Sequence, residues 1–244
     1  MLSSYSAMPR VGHLNAVLHV FGYLKKHANS RIIFDPAKPD MSDCNFKEYS
    51  PAEWGAEYDG AKEQIPVDAP KALGKSVLLR MFVDSDHAGD KVSRRSRTGF
   101  VIFINGGIID WLSKKQSTIE TSVFGAEFCA LKHGIENLRG IRYKLRMMGV
   151  PIDGPSRIFG DNMSVVTNSS KPESTLKKKS NSICYHAVRE AVVMGEALVA
   201  HIGTKFNLAD LFTKALSGAT RRFLVGRLMW DVFPYMDVPP GVKA

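Results

Sequence analysis

The chain has 244 residues, 44% of them hydrophobic and 23% charged, with a net charge of +9 and a pI near 9.5. That composition suits a globular protein of one sizeable domain with an appendage, and no apolar run approaches the ~18–20 residues of a membrane span. Three cysteines, Cys44, Cys129 and Cys184, form no metal-ligand spacing and leave an odd thiol, which argues against a disulfide framework and for an intracellular location, a cytoplasmic particle or the nucleus. Residues 1–5 lack the charged and apolar regions of a secretory signal.

Residues 9–28 are predicted to form an amphipathic packing helix. Pro9 suits a first helical position, and Leu14, Val17, Leu18, Phe21 and Leu24 recur at spacings of three and four. His13, His19 and His27 do not share one ligand face. From Asp35 to Lys75 the periodicity breaks: five of the twelve prolines fall here, with nine acids against five bases and the aromatics Phe46, Tyr49, Trp54 and Tyr58. This reads as a connector, with a domain boundary near Gly74. Three units follow: a connection segment over 1–75, a folded domain over 76–216 and a basic tail over 217–244. Because the connector is acidic, the rest of the chain carries more than the whole chain's positive charge, which invites a polyanion such as nucleic acid.

The folded unit is expected to open with a strand over 76–83, a second over 99–104 and a third over 108–113 after the Gly106-Gly107 turn, an antiparallel meander. A long helix over about 122–148 follows, with a Thr/Ser-rich lead-in able to supply its N-cap. A short strand over 157–160 precedes Asp161-Asn162 and a short helix around 164–168. A helix over 176–194, a strand over 197–202 and a helix over 207–216 capped by Asn207 complete the order. The fold class is α/β, a mixed sheet flanked by helices.

Acidic residues stand at the ends of four of these elements. Asp84 and Asp86 follow the first strand, in Val83-Asp84-Ser85-Asp86-His87-Ala88-Gly89-Asp90. Glu127 shares the face of the long helix that carries Leu131, Ile135, Leu138 and Leu145, where a carboxylate is costly unless compensated by the helix dipole or a bound cation. Asp161 reads either as an N-cap or as a ligand, and Asp210 either as a capping residue or as a ligand. Clustered carboxylates of this kind suit a hard divalent cation such as Mg²⁺, two of which can activate water and stabilise a leaving oxygen in phosphodiester cleavage.

Seven segments in order carry a family resemblance: Val83–Asp90, Arg97-Thr98-Gly99-Phe100, Trp111-Leu112-Ser113-Lys114-Lys115-Gln116, Glu120–Phe128, Gly160-Asp161-Asn162, Tyr185-His186-Ala187-Val188-Arg189-Glu190 and Leu208–Lys214. They resemble the ribonuclease H domain of copia-type LTR retrotransposon polyproteins. Residues 1–34, with Pro9–Leu14 and Gly22–Lys26, resemble the segment that follows the polymerase in those proteins. The resemblance implies a ribonuclease-H-like five-stranded mixed sheet that cleaves the RNA strand of RNA–DNA hybrids with two Mg²⁺ or Mn²⁺ ions. Its acids map onto Asp84, Glu127, Asp161 and Asp210, with Asp86 competing for the first place. Asp90 is read as turn chemistry, and His201 as a strand-end histidine ahead of a catalytic one.

The sequence departs from the family at Lys179–Ser182, at His87 where Trp is usual, and at Val123-Phe124-Gly125, and it has no Tyr-Val-Asp-Asp polymerase motif. Arg94, Arg95, Arg97, Lys114, Lys115 and Lys177-Lys178-Lys179 are the candidate phosphate contacts. The polymerase part of the same polyprotein is a second candidate partner, and no membrane partner is expected. The competing readings are a nucleic-acid-binding remnant without catalysis and a structural connection domain.

Overall fold

A computed structural model describes residues 2–176 and 179–229. Lys177, Lys178 and residues 230–244 of the expected tail lie outside the described residues. In chain order the elements are α1 (Val11–Lys26), β1 (Leu79–Asp86), β2 (Arg97–Ile104), β3 (Gly107–Lys115), α2 (Val123–Met147), β4 (Ser156–Gly160), α3 (Met163–Ser170), α4 (Ser182–Val193), β5 (Ala197–His201), α5 (Asp210–Thr213) and α6 (Gly218–Gly226). The five strands form one mixed sheet in the order β3-β2-β1-β4-β5. Strands β1, β2 and β3 are antiparallel neighbours, whereas β1, β4 and β5 run parallel. Tight turns can join only the antiparallel strands, so α2 spans the link from β1–β3 to β4, and α3 and α4 span the link to β5. This is the five-stranded mixed sheet flanked by helices that the sequence led us to expect.

The meander's second turn shows how local sequence sets the register. Asn105 takes a left-handed conformation (φ 52°), and its side-chain oxygen accepts from Leu78 N at 2.8 Å, which ties the β2–β3 turn to the chain just before β1. Strand β1 is central and apolar on both sides. Leu79, Met81 and Val83 join Phe100, Ile102, Phe128, Leu131 and Ile158 in one core, under α2 and α4. Phe82 joins Val101, Phe103, Phe159, Leu208 and Leu224 in a second core on the other face. A strand buried on both faces reads as a near-continuous apolar run rather than an alternating one, as Ser76–Val83 does apart from Ser76 and Arg80.

The connector runs over both cores. Phe46 meets Phe159 edge-on at 5.2 Å, and Arg157 stacks over the Phe46 ring. On the opposite face Trp54 and Tyr58 are buried, and Glu63 binds both Arg142 and Arg146 of α2. Arg189 of α4 is sandwiched among Trp54, Tyr58 and Tyr185 and donates to the carbonyls of Asn168, Lys171 and Pro172. His186 lies 2.8 Å from the Tyr58 hydroxyl. The Tyr185–Glu190 motif thus ties α4 to Trp54 and Tyr58.

Helix α1 forms within the expected limits but does not pack as expected. None of its residues is buried, and Leu14, Leu18, Phe21 and Leu24 are each more than half exposed. Arg221 stacks over Tyr23 at 5.0 Å. The apolar stripe predicted from the spacing is therefore present but faces outward.

Candidate metal centre

The first strand continues three residues beyond its predicted end, so Asp84 lies inside the ladder, opposite Gly99, rather than in a turn after it. Its carboxylate is fully buried, and both oxygens are engaged: Oδ2 accepts the Thr213 hydroxyl and Oδ1 accepts Lys214 Nζ at 2.9 Å. Asp86 closes the same strand, but its carboxylate accepts the backbone N–H of Arg97 and fits against Gly89, where a Cβ would collide with it. Burial, partly offset by Arg97, raises the Asp86 pKa. Asp90 is held in the β1–β2 turn, where it accepts from Val92 N and Ser93 N and pairs with Lys115 at 2.6 Å.

Ser122 caps α2 by accepting from Gly125 N, and Glu127 follows in the second turn. The buried Gln116 side chain fixes this end of the helix, donating to the Ala126 carbonyl at 2.9 Å and to Thr98 Oγ1 at 3.0 Å. Asp161 sits just past β4. The cap of α3 is Asn162, not Asp161: the Asn162 oxygen accepts from Ser164 N and Val165 N, which leaves the Asp161 carboxylate free of capping duty. His201 Nε2 lies 3.2 Å from the Asp161 carbonyl oxygen, and the His201 side chain is exposed at the end of β5.

The predicted helix over 207–216 is only a single turn, α5, and Asn207 does not cap it in the expected way. Asn207 is fully buried, donates its amide to the Val83 carbonyl at 3.0 Å and accepts from Ala209 N. It bolts the start of this turn to β1, one residue before Asp84. Asp210, at the head of α5, accepts from Lys214 Nζ at 2.8 Å.

One carboxylate oxygen each from Asp84, Glu127 and Asp161 lies within 4.8 Å of the others. Glu127 and Asp161 line an open cleft of about 620 Å³ together with Asp86, His87, Asn162 and Lys214, while Asp84 is fully buried. Asp210 stands outside this three-acid cluster and is joined to it through Lys214. The electrostatic cost of the arrangement falls on Glu127 and Asp210. Burial first, then the charges of Asp84 and Asp161, push Glu127 up to about 9. Burial, and Asp84 against the relief given by Lys214, lift Asp210 to about 6. Lys214 is raised: its own burial would lower it, and Asp84 and Asp210 outweigh that.

A donor set made only of carboxylate oxygens, with burial raising the pKa of Glu127 and Asp210, fits a hard divalent cation. Asp84, Glu127 and Asp161 would hold one ion, with Asp210 beside them. Lys214 and Thr213 were missed in the sequence, although Lys214 lies four residues after Asp210, the spacing at which a helix brings an acid and a base together.

The basic candidates divide. Arg95, Arg97 and Lys115 line a groove of about 260 Å³ that shares Asp86 with the carboxylate cleft. Arg94, at φ 56° in the same turn, and Lys114 are exposed. Lys115 is already paired with Asp90. Lys179 is exposed near Asn181, whose amide donates to Glu120 at 3.0 Å.

No family model matches the chain. Over 144 residues, 59% of the chain, it is 31% identical to the retrovirus-related Pol polyprotein from transposon RE1 of Arabidopsis thaliana and 30% identical to that from transposon RE2 of the same plant. The chain spans 10% of the length of each of these relatives. Among solved structures it is similar to LC11-RNase H1 in complex with an RNA/DNA hybrid, at 18% identity and a TM-score of 0.45, covering 55% of this chain and 93% of that one. The chain's homologues are thus copia-type retrovirus-related Pol polyproteins. No helix among the described residues is long and apolar enough to cross a membrane.

Proposed function

We propose that this chain is a metal-dependent endoribonuclease that cleaves the RNA strand of RNA–DNA hybrids, as part of a retrotransposon polyprotein. The observation that carries the reading is the convergence of Asp84, Glu127 and Asp161, from β1, α2 and the end of β4, to within 4.8 Å of one another beside a cleft that Glu127 and Asp161 line, with Asp210 next to them. The homology to retrovirus-related Pol polyproteins supports it.

Asp84, Glu127, Asp161 and Asp210 would hold two Mg²⁺ or Mn²⁺ ions. When bound, such ions activate a water and stabilise the leaving oxygen of a phosphodiester. The chain's own residues do the rest. Gln116 and the Ser122 cap fix Glu127 in place, Asn207 and Thr213 fix the α5 turn against β1, and Asn162 takes over capping so that Asp161 can face the cleft. Burial and the charges of Asp84 and Asp161 raise the Glu127 pKa, and a divalent ion held beside it would favour its ionised form. Arg95 and Arg97, in the groove that meets the cleft at Asp86, and exposed Arg94, Lys114 and Lys179 would take the phosphates of the hybrid without reading sequence. The 2′-hydroxyl is what marks the RNA strand.

The test is a hybrid labelled on its RNA strand, incubated with the full chain and Mg²⁺. The proposal expects internal cleavage of the RNA that EDTA abolishes. RNA cleavage that persists in EDTA would overturn it.

A further inference from the structure

A cation already sits among the four carboxylates. Lys214 Nζ lies 2.9 Å from Asp84 Oδ1 and 2.8 Å from Asp210 Oδ1, and its side chain is about one-third exposed at the cleft edge, whereas those of Asp84 and Asp210 are nearly or wholly buried. A compact ammonium between two buried carboxylates offsets their repulsion much as a divalent ion would.

We propose that Lys214 is a tethered competitor for the ion shared by Asp84 and Asp210. That ion binds only where the ammonium leaves, while an ion held on the Glu127 and Asp161 side of Asp84 binds without the exchange. The inference rests on the metal-centre reading above. It assigns Lys214 a role distinct from that of the acids themselves.

Three features support it. Asp84 has bonding capacity to spare: the Thr213 hydroxyl and the Lys214 ammonium take one position on each oxygen, and a carboxylate offers about four. It can therefore serve Glu127 and Asp161 while Lys214 stays. Asp210 cannot do the same, because it stands outside the three-acid cluster and faces it through Lys214. The close seat of α5 also leaves the ammonium in place by default. Gly99 lets Thr213 and Phe212 press onto β2, and Lys214 follows one residue later, with its backbone N–H on the Asp210 carbonyl at 3.0 Å. Finally, the ammonium has somewhere to go. It lines the open cleft together with Glu127, Asp161 and Asn162, so a phosphate entering there would offer it a new partner while the carboxylates gain a metal.

The experiment titrates Mn²⁺ alone into the full 244-residue chain and follows the free aquo-ion by EPR. The proteins are wild type, Lys214→Met, Lys214→Gln and Lys214→Arg, each checked for native circular dichroism; Lys214→Gln carries the comparison if Lys214→Met does not fold. Wild type is expected to take one ion tightly and a second roughly tenfold more weakly, and both neutral variants to tighten the second step about tenfold with the first step within about twofold. Lys214→Arg, which keeps the charge, is expected to retain the wild-type pattern. Two equal steps in wild type, or a second step that the neutral variants leave unmoved, would overturn the proposal while the metal centre stands. A wild type and variants that all fail to bind Mn²⁺ would overturn the metal-centre reading, and this one with it.

Discussion

Gly99 stands directly opposite Asp84 in the β1–β2 ladder. A Cβ at Gly99 would lie 2.5 Å from Thr213 Cγ2 and 2.9 Å from the Phe212 Cβ. The missing side chain lets the turn that carries Thr213, Lys214 and Asp210 rest on the strand beside Asp84. Gly99→Ala is therefore expected to destabilise the chain by about 1–3 kcal/mol through overpacking and to weaken metal binding, because it moves α5 off Asp84. Chemical denaturation and Mn²⁺ titration of the same variant check both effects.

Stability without metal should depend on pH through Glu127. Its pKa rises from an ordinary 4.5 to about 9 on folding, so folding favours the protonated acid. The contribution is fully present below pH 4.5 and is lost progressively as pH rises toward 9. Glu127→Gln mimics the protonated form at every pH. At pH 8 in EDTA it should be more stable than wild type by at least about 2 kcal/mol, one pKa unit being worth about 1.4 kcal/mol. At pH 4 the two should melt alike. Saturating Mg²⁺ should stabilise wild type more than the variant.

The connector is pinned by Glu63, which accepts from Arg142 at 2.8 and 2.9 Å while Arg142 is almost fully buried. Burial alone would raise the Glu63 pKa, and the two arginines outweigh it, so the net shift is downward from 4.5. A lowered folded-state pKa gives stability that is present above pH 4.5 and lost as pH falls below it. Glu63→Gln should cost about 2–4 kcal/mol at pH 7, mainly because Arg142 is left buried without its carboxylate. The difference should shrink below pH 4, as denaturation curves at the two pH values would show.

Binding of a hybrid should weaken steeply with salt. Replacing exposed Arg94, Arg95 and Lys114 together is expected to lower the slope of log K against log salt by about three, with loss of affinity spread evenly over sequences. Lys115, engaged with Asp90, should contribute less than Lys114 when each is replaced singly. Fluorescence anisotropy across a salt series in EDTA measures this apart from cleavage.

The order of strands and helices was legible because β1 and β5 are rich in apolar residues and α2 carries an apolar stripe at helical spacing, and a central strand buried on both faces leaves little ambiguity. The inward position of Glu127 was legible from helical spacing alone. Asp161 was not separable from a cap by spacing, since Asp161 and the adjacent Asn162 are both good caps and only the backbone beyond β4 decides that Asn162 takes the role. The last turn was misjudged for a similar reason: Asn207 has the chemistry of a helix cap, but burial against the Val83 carbonyl recruits it for a long-range tie. Nor does the spacing in α1 tell whether its stripe meets a core. Lys214 was passed over because a basic residue four positions after an acid normally means a solvated pair, and nothing local says that the acid is buried beside Asp84.

The most direct test of the account compares wild type with Asp161→Asn in single-turnover cleavage of an RNA-labelled hybrid in Mg²⁺. Asp161 makes no cap and contributes its carboxylate only to the cleft, so the amide should leave the melting temperature in EDTA unchanged or higher. The account predicts that cleavage falls at least about a hundredfold, a loss of roughly 2.7 kcal/mol of transition-state stabilisation. Cleavage by Asp161→Asn at the wild-type rate would contradict it.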